Sequence, residues 1–264
     1  MTILNVSVEK KINRYSEEQF FDVEDYIVTE FPLTIYVNGN EFATLVCTPM
    51  HFEEMVVGFL ASEGVIRFYK DIKSLNIDQS RGYAYVDLHA NLVTSQEYYS
   101  KRFIGSCCGK SRQFYFHNDA RTAKTSTDTT TITALQCIHL MNEMQNNSAV
   151  FQKTGGVHNA TLCTKNEIIV GRTDIGRHNA LDKLFGYSII NQVPVRNKII
   201  VFSGRISSEV LVKASKIGVG IVLSKSAPTD LAIKLADDLN ITAVGFIRGN
   251  SFNVYSHPYR IVKN

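Results

Sequence analysis

The stretch Gly105–Phe114, GSCCGKSRQF, sets two adjacent cysteines between glycines, with Lys110 and Ser111 just behind. Residues of these types serve phosphate binding, metal binding or nucleophilic sulfur. A P-loop needs four residues between its first glycine and Gly-Lys-Ser/Thr. Gly105 and Gly109 enclose only three, and no apolar strand leads into them. A zinc deaminase combines H-x-E with P-C-x-x-C. His51-Phe52-Glu53 supplies the first, but the second is absent. After Pro49 the same residues fit the polar first turn of a helix. Adjacent cysteines also lack the ligand spacing of tetrahedral sites. The nucleophile fits best. Lys101, Arg102, Lys110 and Arg112 bracket Cys107 and Cys108 with no carboxylate between them. Such neighbours stabilise a thiolate. Cys47, Cys137 and Cys163 sit in apolar runs and are expected in the core.

A second group of candidates lies downstream. KTGGVHNA puts two glycines before His158 and Asn159, and GRTDIGRHNALDKLFG crowds Arg172, Asp174, Arg177, His178, Asp182 and Lys183 together. A helix starting near Arg177 would aim free amides at a phosphate. FSGRISSE places Ser203, Gly204 and Arg205 at a strand end, and GFIRGNSFNVY does the same with Arg248, Gly249 and Asn250. Together they suggest a site for a large, anionic, phosphate-bearing ligand. No G-x-G-x-x-G occurs, so an ordinary dinucleotide fold is not indicated.

The elements that must position these groups divide the chain. The first twenty residues are polar, and residues 1–20 are expected to be a flexible N-terminus. Residues 21–91 read as a small α+β unit. In it, FPLTIYVNGNEFATLVC forms a hairpin about Asn38-Gly39. HFEEMVVGFLASEG is a helix stopped by Gly64, and a second hairpin turns at Arg81-Gly82. Residues 92–131 lack an apolar period and are expected to be an exposed cysteine-bearing connection. After the helix TALQCIHLMNEMQNN, residues 132–264 alternate strands with helices, which argues for a layered α/β core. Strand ends in such sheets line the ligand crevice. With 264 residues, 44% hydrophobic, 20% charged and a net charge of +3, the composition is that of a soluble globular protein. It offers no case for nucleic acid. No apolar run has membrane-spanning length. Five cysteines, one pair of them adjacent, point to a reducing cytoplasm rather than a disulfide framework.

The ordered set CTPMHFEEMVVGFLASEGVI, TGGVHNA, DIGRHNALDKLFG, FSGRISSE and SKSAPTDLAIKLADDLNITAVGFIRGNSFNVYSHP resembles the formate dehydrogenase accessory family, FdhD or NarQ, from about Phe31 onward. The resemblance implies a sulfur carrier and sulfurtransferase. A loop cysteine takes sulfur from a cysteine desulfurase as a persulfide. It passes that sulfur to the molybdenum cofactor, bis-molybdopterin guanine dinucleotide, on which formate dehydrogenase depends. Cys107 is then the persulfide cysteine, and the cofactor turn falls on Phe246, Ile247, Arg248, Gly249, Asn250 and Ser251. His158, Arg177, His178, Ser203 and Arg205 are the further site candidates. The implied fold is a cytidine-deaminase-like α/β core with a smaller N-terminal unit, forming a homodimer with no intrinsic metal. One departure stands out. Many members of the family it resembles carry a second cysteine three positions on, where this chain has Lys110, and Cys108 is adjacent instead. Adjacent Cα atoms lie about 3.8 Å apart, closer than a relaxed disulfide accepts. A one-cysteine relay fits the chain better than a two-cysteine one. The competing possibilities are a non-catalytic cofactor chaperone and a zinc hydrolase on a deaminase fold.

Overall fold

The computed structural model describes residues 5–89, 102–104 and 123–263. Cys107 and Cys108 lie outside the described residues. Ser7–Ser16 (β1) and Gln19–Val28 (β2) pair along their whole length as a separate two-stranded ribbon. A strand thus runs through the segment expected to be flexible up to residue 20. Its turn is Glu17-Glu18, both at positive φ.

Period-two burial builds the next sheet. Leu33, Ile35, Ala43, Leu45 and Cys47 are buried on one side of Phe31–Val37 (β3) and Asn40–Cys47 (β4). Asn38 and Gly39 turn between them at φ 49° and 79°, the primed geometry that Asn-Gly favours. Phe52–Ser62 (α1) covers this face. Gly64 takes φ 73° after its last turn, as expected of a C-terminal stop. Ile72–Asp78 (β5) and Tyr83–Leu88 (β6) form the second hairpin, and β6 pairs parallel with β3. Arg102–Ile104 (β7) pairs parallel with β4 and closes the order β5-β6-β3-β4-β7.

The remaining chain forms a six-stranded sheet, β10-β9-β11-β12-β13-β14. Its strands are His158–Cys163 (β9), Ile168–Asp174 (β10), Ile199–Phe202 (β11), Ile221–Ser224 (β12), Thr242–Arg248 (β13) and Ser251–Val254 (β14). β11, β12 and β13 are parallel, and the others join antiparallel. Ile132–Thr133 (β8) precedes the helix Ala134–Asn146 (α2), whose Thr133 cap accepts from Gln136 N. Ala149–Thr154 (α3) follows. Arg177–Ile190 (α4), Ser208–Ile217 (α5) and Asp230–Asp238 (α6) complete the helices. Residues alternate across β11. Ile200 and Phe202 pack with α4, α5 and α6, while Ile199 and Val201 pack with Cys137, Leu140, Met141 and Met144 of α2. The result is a mixed α/β protein.

The segment before β8 is not wholly exposed, contrary to the reading of residues 92–131. Asp128 and Thr130 are buried. Ser126 N donates to Leu239 O, and the buried Arg260 donates through Nη2 to Asp128 O at 2.8 Å. The polar side chains that hid this packing bond each other, Thr130 Oγ1 donating to Asp128 Oδ1. Ile261–Val262 (β15) pairs parallel with β8 and anchors the end of the same segment.

α1 and α4 cross in close contact. A Cβ on Gly58 would lie 1.7 Å from Asp182 O, and one on Gly186 1.8 Å from Glu54 O. Only glycine permits that approach, which joins the two sheets through one helical seam.

Candidate strand-end site

The parallel strands β11, β12 and β13 all point their C-terminal ends the same way, where α/β sheets bind ligands. β9 runs against β11 and brings its first residues to the same edge. Asn159 N donates to Ser203 Oγ at 2.9 Å, and Ser203 N donates back to Asn159 O. Ser148 and Thr173 both donate to Asn159 Oδ1 at 2.7 Å. Beyond Ser203, Ser224 Oγ donates to Gly204 O, Ser226 Oγ to Ser203 O, and Phe246 N to Ser226 O. These bonds lock four strand ends into one row. Three steps between neighbouring strands give the row a length of about 14 Å.

His158 starts β9 and pairs across the sheet with Asp174. Burial holds its imidazole below the usual value of 6.5, the Arg177 charge lowers it further, and Asp174 opposes both. The ring is therefore neutral near pH 7. Arg177 opens α4, and a Cβ on Gly204 would come 3.4 Å from its Cβ. Its Nε is buried without a hydrogen-bond partner. An orphaned guanidinium nitrogen beside a helix N-terminus suits an anionic ligand. Thus His158, Arg177 and Ser203 come together. His178 turns away, its Nε2 3.0 Å from Glu209 Oε2 on α5. Arg205 is exposed.

The segment Phe246–Ser251 spans the end of β13, the two-residue turn Gly249-Asn250 and the first residue of β14. Arg248 pairs with Ser251, and Gly249 sits at φ 54° with open space around it. Phe246 also has positive φ, 55°, and its exposed ring carries the Arg248 guanidinium 5.1 Å from its centroid. A non-glycine residue held there is strained, and strain collects at ligand sites. Ile247 points into the core, so only its backbone faces the turn.

Four residues of the crowded GRTDIGRHNALDKLFG stretch do not face this row. Arg172 pairs with Glu54 of α1. Asp174 and Lys183 form a fully buried pair, Nζ 2.6 Å from Oδ2. Asp182 binds Lys213. The split follows from position: Arg172 and Asp174 lie on β10, and Asp182 and Lys183 lie beyond the first turn of α4, the turn that reaches the strand ends. The partners that receive these charges were not singled out from sequence. Thr48 and Ser62 are buried and polar, and Lys213 and Lys216 lie inside the apolar α5 pattern. Two lysines three apart among core positions were the available signal.

Cys47, Cys137 and Cys163 are buried, and burial pushes each thiol up to about 12. His51 caps α1 from positive φ, and Glu53 accepts from Tyr69 Oη, as a polar helix start would. Among the described residues no three His, Cys, Asp or Glu side chains gather as metal ligands, and no helix is long and apolar enough to cross a membrane.

Comparison with known proteins decides the relationship. The model of the FdhD/NarQ family matches residues 28–262, both sheets and the strand-end row included. The chain belongs to the FdhD/NarQ family. Sulfur carrier protein FdhD of Halalkalibacterium halodurans is 61% identical over 255 residues, 96% of this chain and 94% of that one. Its counterpart in Bacillus subtilis is 59% identical over 256 residues, 97% and 98% of the two chains. The fold matches the crystal structure of a proposed formate dehydrogenase accessory protein from Desulfotalea psychrophila. The TM-score is 0.81 at 22% identity, over 98% of this chain and 100% of that one. The FdhD/NarQ match begins at the last residue of β2 and leaves the ribbon almost wholly outside it.

Proposed function

We propose that this chain is a sulfur carrier that serves formate dehydrogenase. Cys107 accepts sulfur from a cysteine desulfurase as a persulfide and passes it to the molybdenum centre of bis-molybdopterin guanine dinucleotide, which is cargo here. In the first step the Cys107 thiolate attacks the outer sulfur of the desulfurase persulfide. One S–S bond forms, one breaks, and the desulfurase thiolate leaves. The observation that carries this reading is the near full-length identity to proteins named as sulfur carriers. The cysteine chemistry supports it. Three of the five cysteines are buried and unfit to be thiolates, with values near 12. The basic bracket around Cys107 favours the opposite.

Chain length supports the delivery step. Cys107 follows Ile104, the last residue of β7, by three residues. That tether spans at most about 11 Å. β7 runs beside Ala43–Leu45, three residues before Thr48, and Thr48 is bonded to Asp174 next to the His158–Arg177 end of the row. A row of about 14 Å suits an elongated dinucleotide. Arg177 and the Phe246–Ser251 turn then hold phosphate and guanine, with His158, Ser203 and Arg205 at the margin and His178 steadying α4 through Glu209. The core is taken as cytidine-deaminase-like and the setting as cytoplasmic.

The reading includes a homodimer. Val8, Ile12, Phe21, Val23 and Ile27 share one face of the β1–β2 ribbon, and Val8, Phe21 and Ile27 are exposed. A two-stranded ribbon is marginal in water. The same face carries Lys10 and Arg14 on β1 and Asp25 on β2, so ribbons stacked in opposite order bring opposite charges together.

The test is complementation of a strain lacking its own carrier. A protein with Cys107→Ala and Cys108→Ala should yield inactive formate dehydrogenase while still binding the cofactor. Active dehydrogenase in that background would leave a cofactor chaperone as the function.

A further inference from the structure

One buried carboxylate bridges the two halves of the proposed transfer path. Asp174 and Lys183 are both 0% exposed. Asp174 Oδ2 accepts from Thr48 N and Thr48 Oγ1, each at 3.0 Å, as well as pairing with Lys183. Lys183 Nζ also donates to Thr48 Oγ1 at 2.8 Å and to Thr48 O at 3.2 Å. Asp174 Oδ1 serves the other side. It accepts from Gly176 N at 2.8 Å and Asn179 Nδ2 at 2.9 Å, and Asn179 reaches Val46 O at 2.8 Å. So one oxygen holds the end of β4, the strand on which β7 is laid. The other shapes the turn that presents Arg177, beside His158.

Stability alone does not require this arrangement. A well-packed apolar group often replaces a buried ion pair without loss. What the pair supplies is fixed geometry between two elements far apart in sequence. A second cluster provides the contrast. Ser62 Oγ donates to Asp182 Oδ1 at 2.6 Å, Lys213 pairs with Asp182, and Lys216 Nζ donates to Ser62 O. It also joins α1 to the core and is also buried, but none of these bonds involves β4 or the Arg177 turn.

We propose that Asp174, acting with Lys183 through Thr48, is a positioning residue for sulfur delivery: it sets the spacing between the β4–β7 edge and the His158–Arg177 end of the strand-end row. The inference rests on the sulfur-carrier reading above. Accepting sulfur from a desulfurase needs only the Cys107 side and not that spacing. Delivery to a cofactor seated on the row needs both sides in register. A misplacement of about 1 Å costs on the order of 100-fold in rate.

The experiment uses the full chain as wild type, Thr48→Val, Thr48→Ser and Ser62→Ala. Thr48→Val keeps the shape and the ion pair but removes the hydroxyl that both charged groups touch. Sulfur loading is read by intact mass after exposure to a desulfurase and cysteine. Delivery is read as the rate at which formate dehydrogenase becomes active. Thr48→Val should load like wild type and deliver at least about tenfold more slowly, a shift of roughly 1.4 kcal/mol. Thr48→Ser should restore delivery, and Ser62→Ala should leave both readings unchanged. Normal delivery by Thr48→Val overturns the inference. So does an equal fall in Ser62→Ala, which would mark general loosening, or a parallel loss of loading and delivery in Thr48→Val. Wild type that takes no sulfur refutes the carrier reading itself, a result separable from all of these.

Discussion

Replacing Gly58 by alanine should break the seam between the two sheets. The added methyl would lie 1.7 Å from Asp182 O and 2.7 Å from Gly186 N, where ordinary contact begins near 3.4 Å. Both obstacles are helix backbone, so neither swings aside. α1 and α4 must part by the difference between 1.7 and 3.4 Å. Overpacking of this kind costs about 1–3 kcal/mol. The same movement stretches the Ser62–Asp182 bond of 2.6 Å, and a hydrogen bond to a charged group contributes about 1.5–3 kcal/mol. The combined loss is about 2.5–6 kcal/mol. For a chain of this size each kcal/mol lowers Tm by about 2–4 °C. Thermal unfolding followed by circular dichroism should therefore show a fall of roughly 5–24 °C. A Gly58→Ala protein melting within about 2 °C of wild type would refute the close crossing and the rigid joint built on it.

Other expectations follow from the titrating and exposed groups. His158 has a folded value below its unfolded 6.5, so the folded state resists its protonation. Its contribution to stability is complete above pH 6.5 and is lost as pH falls through the lowered folded value. Arg177→Gln removes a nearby cation, so an NMR titration should show the His158 value rise; an unmoved value would separate the two side chains. The same variant should weaken binding of a guanine nucleotide by about ten- to a hundredfold, since charged hydrogen bonds contribute about 1.5–3 kcal/mol, and equal binding by calorimetry would remove Arg177 from the site. Ile27→Lys replaces an exposed apolar side chain of the ribbon by a charge, so on the dimer reading sedimentation should find wild type dimeric and the variant monomeric. A dimer unaffected by the change would put the interface elsewhere.

The regular elements were legible because local rules and tertiary packing agree in them. Asn38-Gly39, Gly64 and Gly82 each take the positive φ that their turn or stop requires. The ribbon escaped notice because its turn, Glu17-Glu18, uses positive φ without the Asn or Gly that signals it. The charged stretch after Gly171 divides between two sides in a way the sequence does not show. Sequence shows that Asp174, Asp182 and Lys183 are close along the chain, but not that Asp174 and Lys183 face Thr48, 126 and 135 residues away. Buried lysines such as Lys213 and Lys216 look like surface residues until their acceptors are placed. His158, Arg177 and Ser203 sit at the ends of elements, and those ends are set by the apolar runs themselves.

The central claim is that Cys107 carries sulfur. Its most direct test is intact-mass spectrometry after incubation with an active cysteine desulfurase and cysteine, on wild type, Cys107→Ala and Cys108→Ala together. The carrier reading predicts a gain of about one sulfur atom, reversed by reductant, in wild type and Cys108→Ala and absent from Cys107→Ala. Sulfur retained by Cys107→Ala, or taken up by none of the three, would contradict it.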